Sequence, residues 1–147
     1  MTTDVVIING RHVVQISDAE WDVMRVIWNE EPRTAAEVIT ALEETHEWNH
    51  RTIRTLLARL VEKQALTYDV DGTRYLYRSA VKENDCIQQR GQSFVSKVFG
   101  GDVSALVAHF VQDNQLTSEE IAELSRLLEK KSRQPSGKRT TKRGKRK

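Results

Sequence analysis

Apolar positions in residues 49–66 recur with the period of an α-helix. The positions i, i+3, i+4, i+7 and i+8 are filled by Ile53, Leu56, Leu57, Leu60 and Val61. This spacing predicts an amphipathic helix with one face in a core. The opposite face carries arginines, short hydroxyl side chains and a small residue, where an ordinary surface helix has glutamate and lysine. It comprises Arg51, Arg54, Thr55, Ala58 and Arg59, with Asn49 as the expected N-cap and His50 and Thr52 in the first turn.

Polar residues at fixed spacing predict two helices before this one. Capping boxes, in which Ser or Thr precedes Glu by three residues, occur as SDAE at 17–20 and TAAE at 34–37. The first helix is expected to end before Pro32, because the residue before a proline disfavours helical backbone. Further upstream, two β-prone runs in residues 4–16 flank Asn9-Gly10 and predict a short hairpin.

Strand-forming residues follow the amphipathic helix in the segment LTYDVDGTRYLY, residues 66–77. The dipeptide Asp71-Gly72 predicts a second hairpin with its two-residue turn at these positions. The cross-strand pairs expected from that turn are Asp69 with Arg74 and Tyr68 with Tyr75. Three helices followed by a hairpin are the element order of a winged helix-turn-helix. The predicted fold class is therefore mostly α, with a winged helix followed by a helical domain.

The apolar pattern beyond residue 80 predicts three more amphipathic helices, with a break at Gly100-Gly101 and caps at Asp102 and Thr117. Three short helices make a poor domain alone, so their apolar faces are expected to pair with a second copy of the chain. The candidate dimerisation residues are Phe94, Val103, Leu106, Val107, Phe110, Ile121, Leu124 and Leu128. Residues 132–147 contain no core-forming side chain and are predicted to be disordered.

The distribution of charge is more informative than the net charge of +2. Residues 1–48 hold three basic and ten acidic side chains, and residues 79–129 hold four basic and eight acidic ones. Residues 49–78 reverse the balance with six basic and three acidic side chains, and residues 130–147 hold ten basic and no acidic ones. Basic segments within an otherwise acidic chain indicate a polyanionic partner.

The exposed helix face suits double-stranded DNA. A helix-turn-helix places its second helix in the major groove, where arginine can bond guanine bidentately and Thr or Ala can contact a thymine methyl group. Arg51, Thr55 and Ala58 lie at the centre of the face, and Arg74 and Tyr75 near the hairpin tip are placed to reach phosphates or the minor groove. The sequence therefore favours a DNA-reading surface over the alternative, a solvated basic face on a core helix.

Other classes of function find no support in the sequence. The four histidines have no metal-ligand spacing, and neither a catalytic constellation nor a phosphate-binding glycine loop occurs. The single cysteine, Cys86, is expected to be structural, with a redox switch as the alternative. No enzyme activity, cofactor or metal is expected. Without a signal peptide or an apolar run long enough to span a membrane, the expected location is cytoplasmic.

Four motifs, in order, resemble the penicillinase repressor family of BlaI/MecI/CopY-type regulators. They are ISDAEWDVMRVIW, TAAEVITAL, TIRTLLARLVEKQAL and FGGDVSALVAHFV, and the resemblance extends over residues 16–128. It implies a winged-helix repressor that is dimeric through its C-terminal helices and bound to a palindromic operator. Family members linked to antibiotic resistance further imply an upstream membrane metallopeptidase sensor and cleavage of the dimerisation domain at an Asn-Phe bond.

The chain departs from this family pattern at several positions. The bond aligned with the cleavage site is His109-Phe110, and the cysteine cluster of the copper-responsive members is absent. Gln64 stands where the family usually has glycine after the recognition helix, so it is expected to adopt a left-handed conformation or to end the helix differently. The N-terminal hairpin and the basic tail are additions to the family core.

These observations predict an N-terminal extension at 1–16, a winged-helix DNA-binding domain at 17–80, a helical dimerisation domain at 81–131 and a basic tail at 132–147. Two other functions stay open. One is an architectural nucleoid protein that binds DNA without sequence preference, and the other is a module whose arginines meet an acidic protein. The Thr and Ala residues beside the arginines favour a sequence-specific repressor, because non-specific binding needs only charge. The tail is expected to add weak, non-specific phosphate contacts.

Overall fold

The computed structural model describes residues 5–8 and 11–133, and this part of the chain is mostly helical. The helices are α1 (Asp18–Asn29), α2 (Ala35–Glu43), α3 (His50–Glu62), α4 (Glu83–Phe99), α5 (Val103–Gln112) and α6 (Ser118–Ser132). The strands are β1 (Val5–Ile8), β2 (Arg11–Val14), β3 (Arg33–Thr34), β4 (Leu66–Asp71) and β5 (Arg74–Ser79). Three helices followed by a hairpin confirm the predicted winged helix-turn-helix and the mostly α class.

Side-chain caps begin the helices at the predicted residues. The capping boxes of α1 and α2 are complete, because the hydroxyls of Ser17 and Thr34 accept from the backbone N–H of Glu20 and Glu37, whose carboxylates accept from the cap backbone in return. The remaining side-chain caps are Asn49 on α3, Asp102 on α5 and Thr117 on α6. Each such cap is worth about 0.5–2 kcal/mol, so the starts of these helices are fixed locally.

A single hydrophobic core joins α1, α2, α3 and the strands beside them. The predicted apolar stripe of α3 lies in it, with Ile53, Leu56, Leu57 and Leu60 all buried. Burial of each such side chain contributes roughly 1.5–3 kcal/mol. Because this stripe is held inward, the opposite face of α3 is turned towards solvent.

The wing is an antiparallel sheet in the order β3-β5-β4, and its register differs from the predicted one. The observed pairs are Asp71 with Arg74, Val70 with Tyr75, Asp69 with Leu76 and Tyr68 with Tyr77. The predicted pairs Asp69–Arg74 and Tyr68–Tyr75 are therefore wrong, and the two-residue turn is Gly72-Thr73. Gly72 has a φ of +66°, and a hairpin turn with glycine at its first central position takes this conformation without steric cost.

Tyrosine stacking and Asp–Arg pairing suggested the predicted register. Both kinds of interaction also occur in the observed register, in a different arrangement. The rings of Tyr68 and Tyr75 stack with centroids 4.1 Å apart as diagonal neighbours on one face of the wing. Arg74 donates to the Asp71 carboxylate at 2.8 Å, and Arg78 lies 3.5 Å from the Asp69 carboxylate. Stacking and charge pairing thus do not by themselves decide the register.

The N-terminal strands β1 and β2 pair antiparallel, with Val5 opposite Val14, which confirms the two strands of the predicted hairpin. Its turn dipeptide, Asn9-Gly10, lies outside the described residues. At the other end, α6 continues to Ser132, and the predicted tail from residue 134 onwards also lies outside the described residues. Gln64 adopts a φ of 73°, as expected for a residue that follows the recognition helix in a left-handed conformation.

By its internal contacts the chain divides into two units, Met1–Val98 and Phe99–Lys147. In the first unit, the start of α4 packs on the winged helix, with Cys86 and Gln89 buried and the Arg90 guanidinium donating to the Ile16 carbonyl at 2.8 Å. In the second unit, α5 and α6 have no buried residue. The domain boundaries proposed from the sequence stay a prediction.

No single helix in the described part of the chain has the length and apolar composition needed to cross a membrane. Only α4 and α5 counted together, across the break between them, meet that criterion, which is weak support for a span.

Candidate nucleic-acid interface

The exposed face of α3 is the predicted reading surface, and the structure leaves it uncovered. The residues Arg51, Thr52, Arg54, Thr55, Ala58 and Arg59 are all exposed. Arg51 and Arg54 have no hydrogen-bond or ion-pair partner among the described residues, so their guanidinium groups keep their full donor capacity. The face therefore offers free, fixed-charge donors beside two short hydroxyl side chains and one methyl group.

The start of α3 is tied to the turn before it. The Asn49 side chain accepts from the Thr52 backbone N–H at 2.8 Å, so its oxygen is engaged in capping the helix. The His50 imidazole lies 2.7 Å from the Glu43 carboxylate on α2. The first contact caps α3 itself, and the second links the start of α3 to the end of α2. Asn49 and His50, both predicted to touch DNA, thus have a structural part in presenting α3.

The wing and α3 enclose a cleft of about 500 Å³. It is lined by Thr34, Ala35, Ala36, Arg54, Thr73, Arg74, Tyr75 and Tyr77. The structure thus brings Arg54 of α3 together with the neighbouring residues Arg74 and Tyr75 of β5. Burial raises the pKa of Tyr77 above its usual value of 10.0, Tyr75 raises it further, and the Arg54 charge partly offsets both.

This cleft suits an anion. Arg54 and Arg74 line it from two different elements, and Thr73 adds a hydroxyl-bearing side chain, while the Arg74 guanidinium also donates to the Asp71 carboxylate. A tetrahedral phosphate is recognised by such groups. The sequence did not predict the contribution of Thr34, Ala35 and Thr73, because no local pattern relates the start of α2 to the wing tip.

The opposite edge of the α3 face involves Glu20, a residue that the sequence pattern identifies only as part of a capping box. Glu20 of α1 is 1% exposed, and its carboxylate lies 4.0 Å from the Arg59 guanidinium and 2.5 Å from the Lys63 ammonium. The SDAE pattern showed the cap, but no sequence signal connects residue 20 with residues 59 and 63. Arg59 is thus the one arginine of the reading face with a described ionic partner.

The second unit exposes the predicted dimerisation residues. On α5 and α6 the exposed apolar side chains include Val103, Val107, Phe110, Ile121, Leu124 and Leu128, while Leu106 is half-buried. Phe94 on α4 is also exposed. The His109-Phe110 bond lies inside α5, and the His109 ring is 3.7 Å from the Asp113 carboxylate one helical turn later.

Cys86 is buried, and its burial raises the pKa of its thiol to about 11, with smaller contributions from Asp85 and Glu83. A thiol of this kind is a poor nucleophile at neutral pH. Within the described residues no group of His, Cys, Asp and Glu side chains is arranged to hold a metal ion.

Comparison with known proteins identifies the family of this chain. The profile of the penicillinase repressor family matches residues 16–130. The penicillinase repressor of Bacillus licheniformis is 38% identical over 119 residues, which are 81% of this chain and 93% of that protein. The penicillinase repressor of Staphylococcus aureus is 36% identical over 115 residues, or 78% of this chain and 91% of that protein. The methicillin resistance regulatory protein MecI of Staphylococcus aureus strain N315 is 36% identical over 117 residues, covering 80% of this chain and 95% of MecI.

Among solved structures, the solution structure of the DNA-binding domain of the repressor BlaI has 42% identity and a TM-score of 0.46, and the match covers 48% of this chain and 87% of that domain. The Bacillus licheniformis BlaI monomer in complex with the blaP half-operator has 42% identity and a TM-score of 0.44, with the same coverage of 48% and 87%.

Proposed function

The chain belongs to the penicillinase repressor family and is a sequence-specific DNA-binding transcriptional repressor, and from this premise we propose that it binds a palindromic operator as a homodimer through the exposed face of α3. The observation that carries the proposal is the composition of that face. It presents Arg51 and Arg54, which have no partner among the described residues, next to Thr and Ala residues on a helix whose other face is buried in the core.

The centre of the face is assigned to base recognition. Arg51, Thr55 and Ala58 follow one another at helical spacing, and all three are exposed. In the major groove an arginine can bond the O6 and N7 atoms of guanine, and Thr and Ala can contact a thymine methyl group. The absence of a bulky side chain at Ala58 lets the helix backbone approach the bases.

The cleft between α3 and the wing is assigned to the DNA backbone. Arg54 and Arg74 both line it, and we expect a phosphate there to bind both, in competition with the Asp71 carboxylate that Arg74 contacts. Phosphate contacts fix the position of a protein on DNA and carry no sequence information themselves. Tyr75, stacked on Tyr68, forms a rigid aromatic wall against which a sugar or phosphate can rest.

The apolar surface of α5 and α6 is assigned to the homodimer. Exposed stripes of Val, Leu, Ile and Phe on two consecutive helices are typical of a protein–protein interface. Two-fold pairing would place two copies of α3 about 34–36 Å apart, one turn of B-DNA, as a palindromic site requires. The second copy of the chain is therefore the expected partner for this surface.

The regulation proposed for the chain follows its family. An upstream membrane metallopeptidase sensor and cleavage at His109-Phe110 would separate the dimer and release the operator. Because this bond lies inside α5, α5 must unwind locally before a protease can reach the bond. The proposed place of action is the cytoplasm, and neither enzyme activity nor a cofactor is part of the proposal.

Selection from a random DNA library at fixed salt tests the function. A sequence-specific repressor should enrich a palindrome and bind it roughly 10³-fold or more tightly than random DNA. Equal affinity for selected and random DNA would instead identify an architectural, non-specific DNA-binding protein.

A further inference from the structure

Glu20 is a buried carboxylate whose basic partners both belong to the recognition helix. It lies on α1 with 1% of its surface exposed. One carboxylate oxygen accepts from the Ser17 backbone N–H at 2.9 Å and from the Lys63 ammonium at 2.5 Å. The other oxygen lies 4.0 Å from the Nε atom of Arg59.

The capping box does not explain a negative charge at this position. A capping box works equally with Glu or Gln, since it needs only an acceptor at the third helical residue. Glu37 in α2 makes the same two bonds from an exposed position and has no basic partner among the described residues. A buried charge costs several kcal/mol unless it is paired. The charge of Glu20 is therefore explained by Lys63 and Arg59.

The two basic partners differ in what they leave for DNA. The Lys63 side chain is 13% exposed, and its ammonium also donates to the Gln15 carbonyl at 2.9 Å, so it is used inside the protein. The Arg59 side chain is 53% exposed. Its contact with Glu20 is made through Nε at 4.0 Å, and with half of the side chain exposed the guanidinium stays accessible to DNA.

At 3.6 residues per turn, Arg54 and Arg59 fall on opposite edges of the exposed face of α3. Arg54 faces the wing cleft, and Arg59 faces α1 through Glu20. We propose that Glu20 is a positioning residue that holds Arg59 in contact with a DNA phosphate on the α1 side of the groove. This inference rests on the proposed function, and it assigns the second backbone contact that the wing cleft alone does not supply.

The proposal makes a prediction opposite to simple charge repulsion. Removing an acidic side chain near DNA should by itself strengthen binding, whereas loss of a positioning residue should weaken it. The variant Glu20→Gln keeps the capping box and removes the charge, and Glu37→Gln makes the same change in α2 as the matched control. Thermal unfolding followed by circular dichroism establishes that both variants are folded.

Operator affinity is then measured between 50 and 200 mM salt. Loss of one phosphate contact lowers the slope of log affinity against log salt by about 0.9, or roughly 3.5-fold in the affinity ratio across this range. We expect this loss in Glu20→Gln and in Arg59→Ala but not in Glu37→Gln, and the double variant should equal Arg59→Ala alone. An unchanged slope in Glu20→Gln, or additive losses in the double variant, would overturn the inference.

A measurement on the unmodified protein covers the case in which Glu20→Gln does not fold. In NMR spectra of the free protein, the Nε–H group of Arg59 should be more ordered than the Nε–H group of Arg54. Arg54 lies on the same helix and has no hydrogen-bond or ion-pair partner among the described residues. Equal disorder of the two groups would overturn the inference.

If Arg51→Ala and Arg59→Ala both leave operator binding unchanged, the proposed function fails as well. If they weaken it and Glu20→Gln does not, only the positioning role fails.

Discussion

At the scale of single residues, Gln64 closes the recognition helix in a conformation that favours glycine. Its φ is 73°, and the Ala65 N–H donates back to the Leu60 carbonyl at 2.9 Å, which is the bond pattern of a left-handed helix end. The left-handed conformation costs a residue with a Cβ atom roughly 1–2 kcal/mol of folded-state stability. Glycine avoids this cost, but its greater freedom in the unfolded chain lowers the free energy of unfolding by about 0.4–1 kcal/mol.

The variant Gln64→Gly should therefore raise the free energy of unfolding by about 0.5–1 kcal/mol. Urea denaturation measures the change. Asn114→Gly is the control, since Asn114 has a φ of 58° but asparagine tolerates this region, so its gain should be smaller. An unchanged or lower stability in Gln64→Gly would show that the helix end is not strained.

The buried thiol of Cys86 should make the free energy of unfolding depend on pH. The folded pKa of about 11 lies above the usual value of 9.0 because burial disfavours the thiolate. As pH rises, the thiol of the unfolded chain therefore loses its proton before the thiol of the folded protein does. This thiol leaves the free energy of unfolding unchanged below about pH 9 and lowers it as pH rises towards 11. We expect Cys86→Ala to flatten the decline of unfolding free energy in this window.

A thiol reagent should label native protein slowly at pH 8 and urea-unfolded protein rapidly. Fast labelling of the native protein would contradict the buried thiol.

Residues with a local signal could be predicted from the sequence, and residues that act over long separations could not. The N-cap Asn49 follows from its immediate neighbours, and the left-handed conformation was one of two alternatives expected for Gln64 from the glycine that the family usually has at this position. The pairing of Glu20 with Lys63 joins residues 43 positions apart, and the cleft joins Arg54 to Arg74 across the wing. Such contacts depend on the packing of complete elements.

At the scale of elements, helix starts were predictable and hairpin register was not. A capping box specifies its helix within four residues, as in α1, α2 and α6. The register of the wing depends on which residue of the turn takes the left-handed conformation. The sequence is compatible with either Asp71-Gly72 or Gly72-Thr73 as the two-residue turn. Gly72 occupies the first turn position, which moves each predicted pair by two residues.

The wing supplies a prediction about phosphate binding. The variant Arg74→Ala should weaken binding to operator and random DNA by the same factor and lower the salt slope by about 0.9, because a phosphate contact carries charge without sequence information. Thr67→Ala, an exposed change on β4 away from the cleft, serves as the control. A selective loss on the operator would indicate that Arg74 reads a base.

At the scale of the whole molecule, the exposed stripe of α5 predicts that the chain does not act alone. Leu106→Glu or Phe110→Glu should give a monomer whose winged helix still folds, because neither residue belongs to the core of the first unit. Operator affinity should fall steeply, since binding of the second half-site loses its effective concentration. Ser104→Glu, an exposed polar position on the same helix, should stay dimeric. A monomeric wild type in sedimentation at micromolar concentration would contradict the dimer.

The central claim is that the exposed face of α3 reads DNA sequence, and the ratio of affinities for operator and random DNA at one salt concentration measures it most directly. For Arg51→Ala this ratio should fall by about 5- to 150-fold, corresponding to roughly 1–3 kcal/mol for one bidentate base contact. Arg25→Ala, which removes an exposed arginine from α1, should leave the ratio unchanged. If Arg51→Ala weakens binding to both DNAs by the same factor, Arg51 contacts only phosphate, and α3 does not read the operator through it.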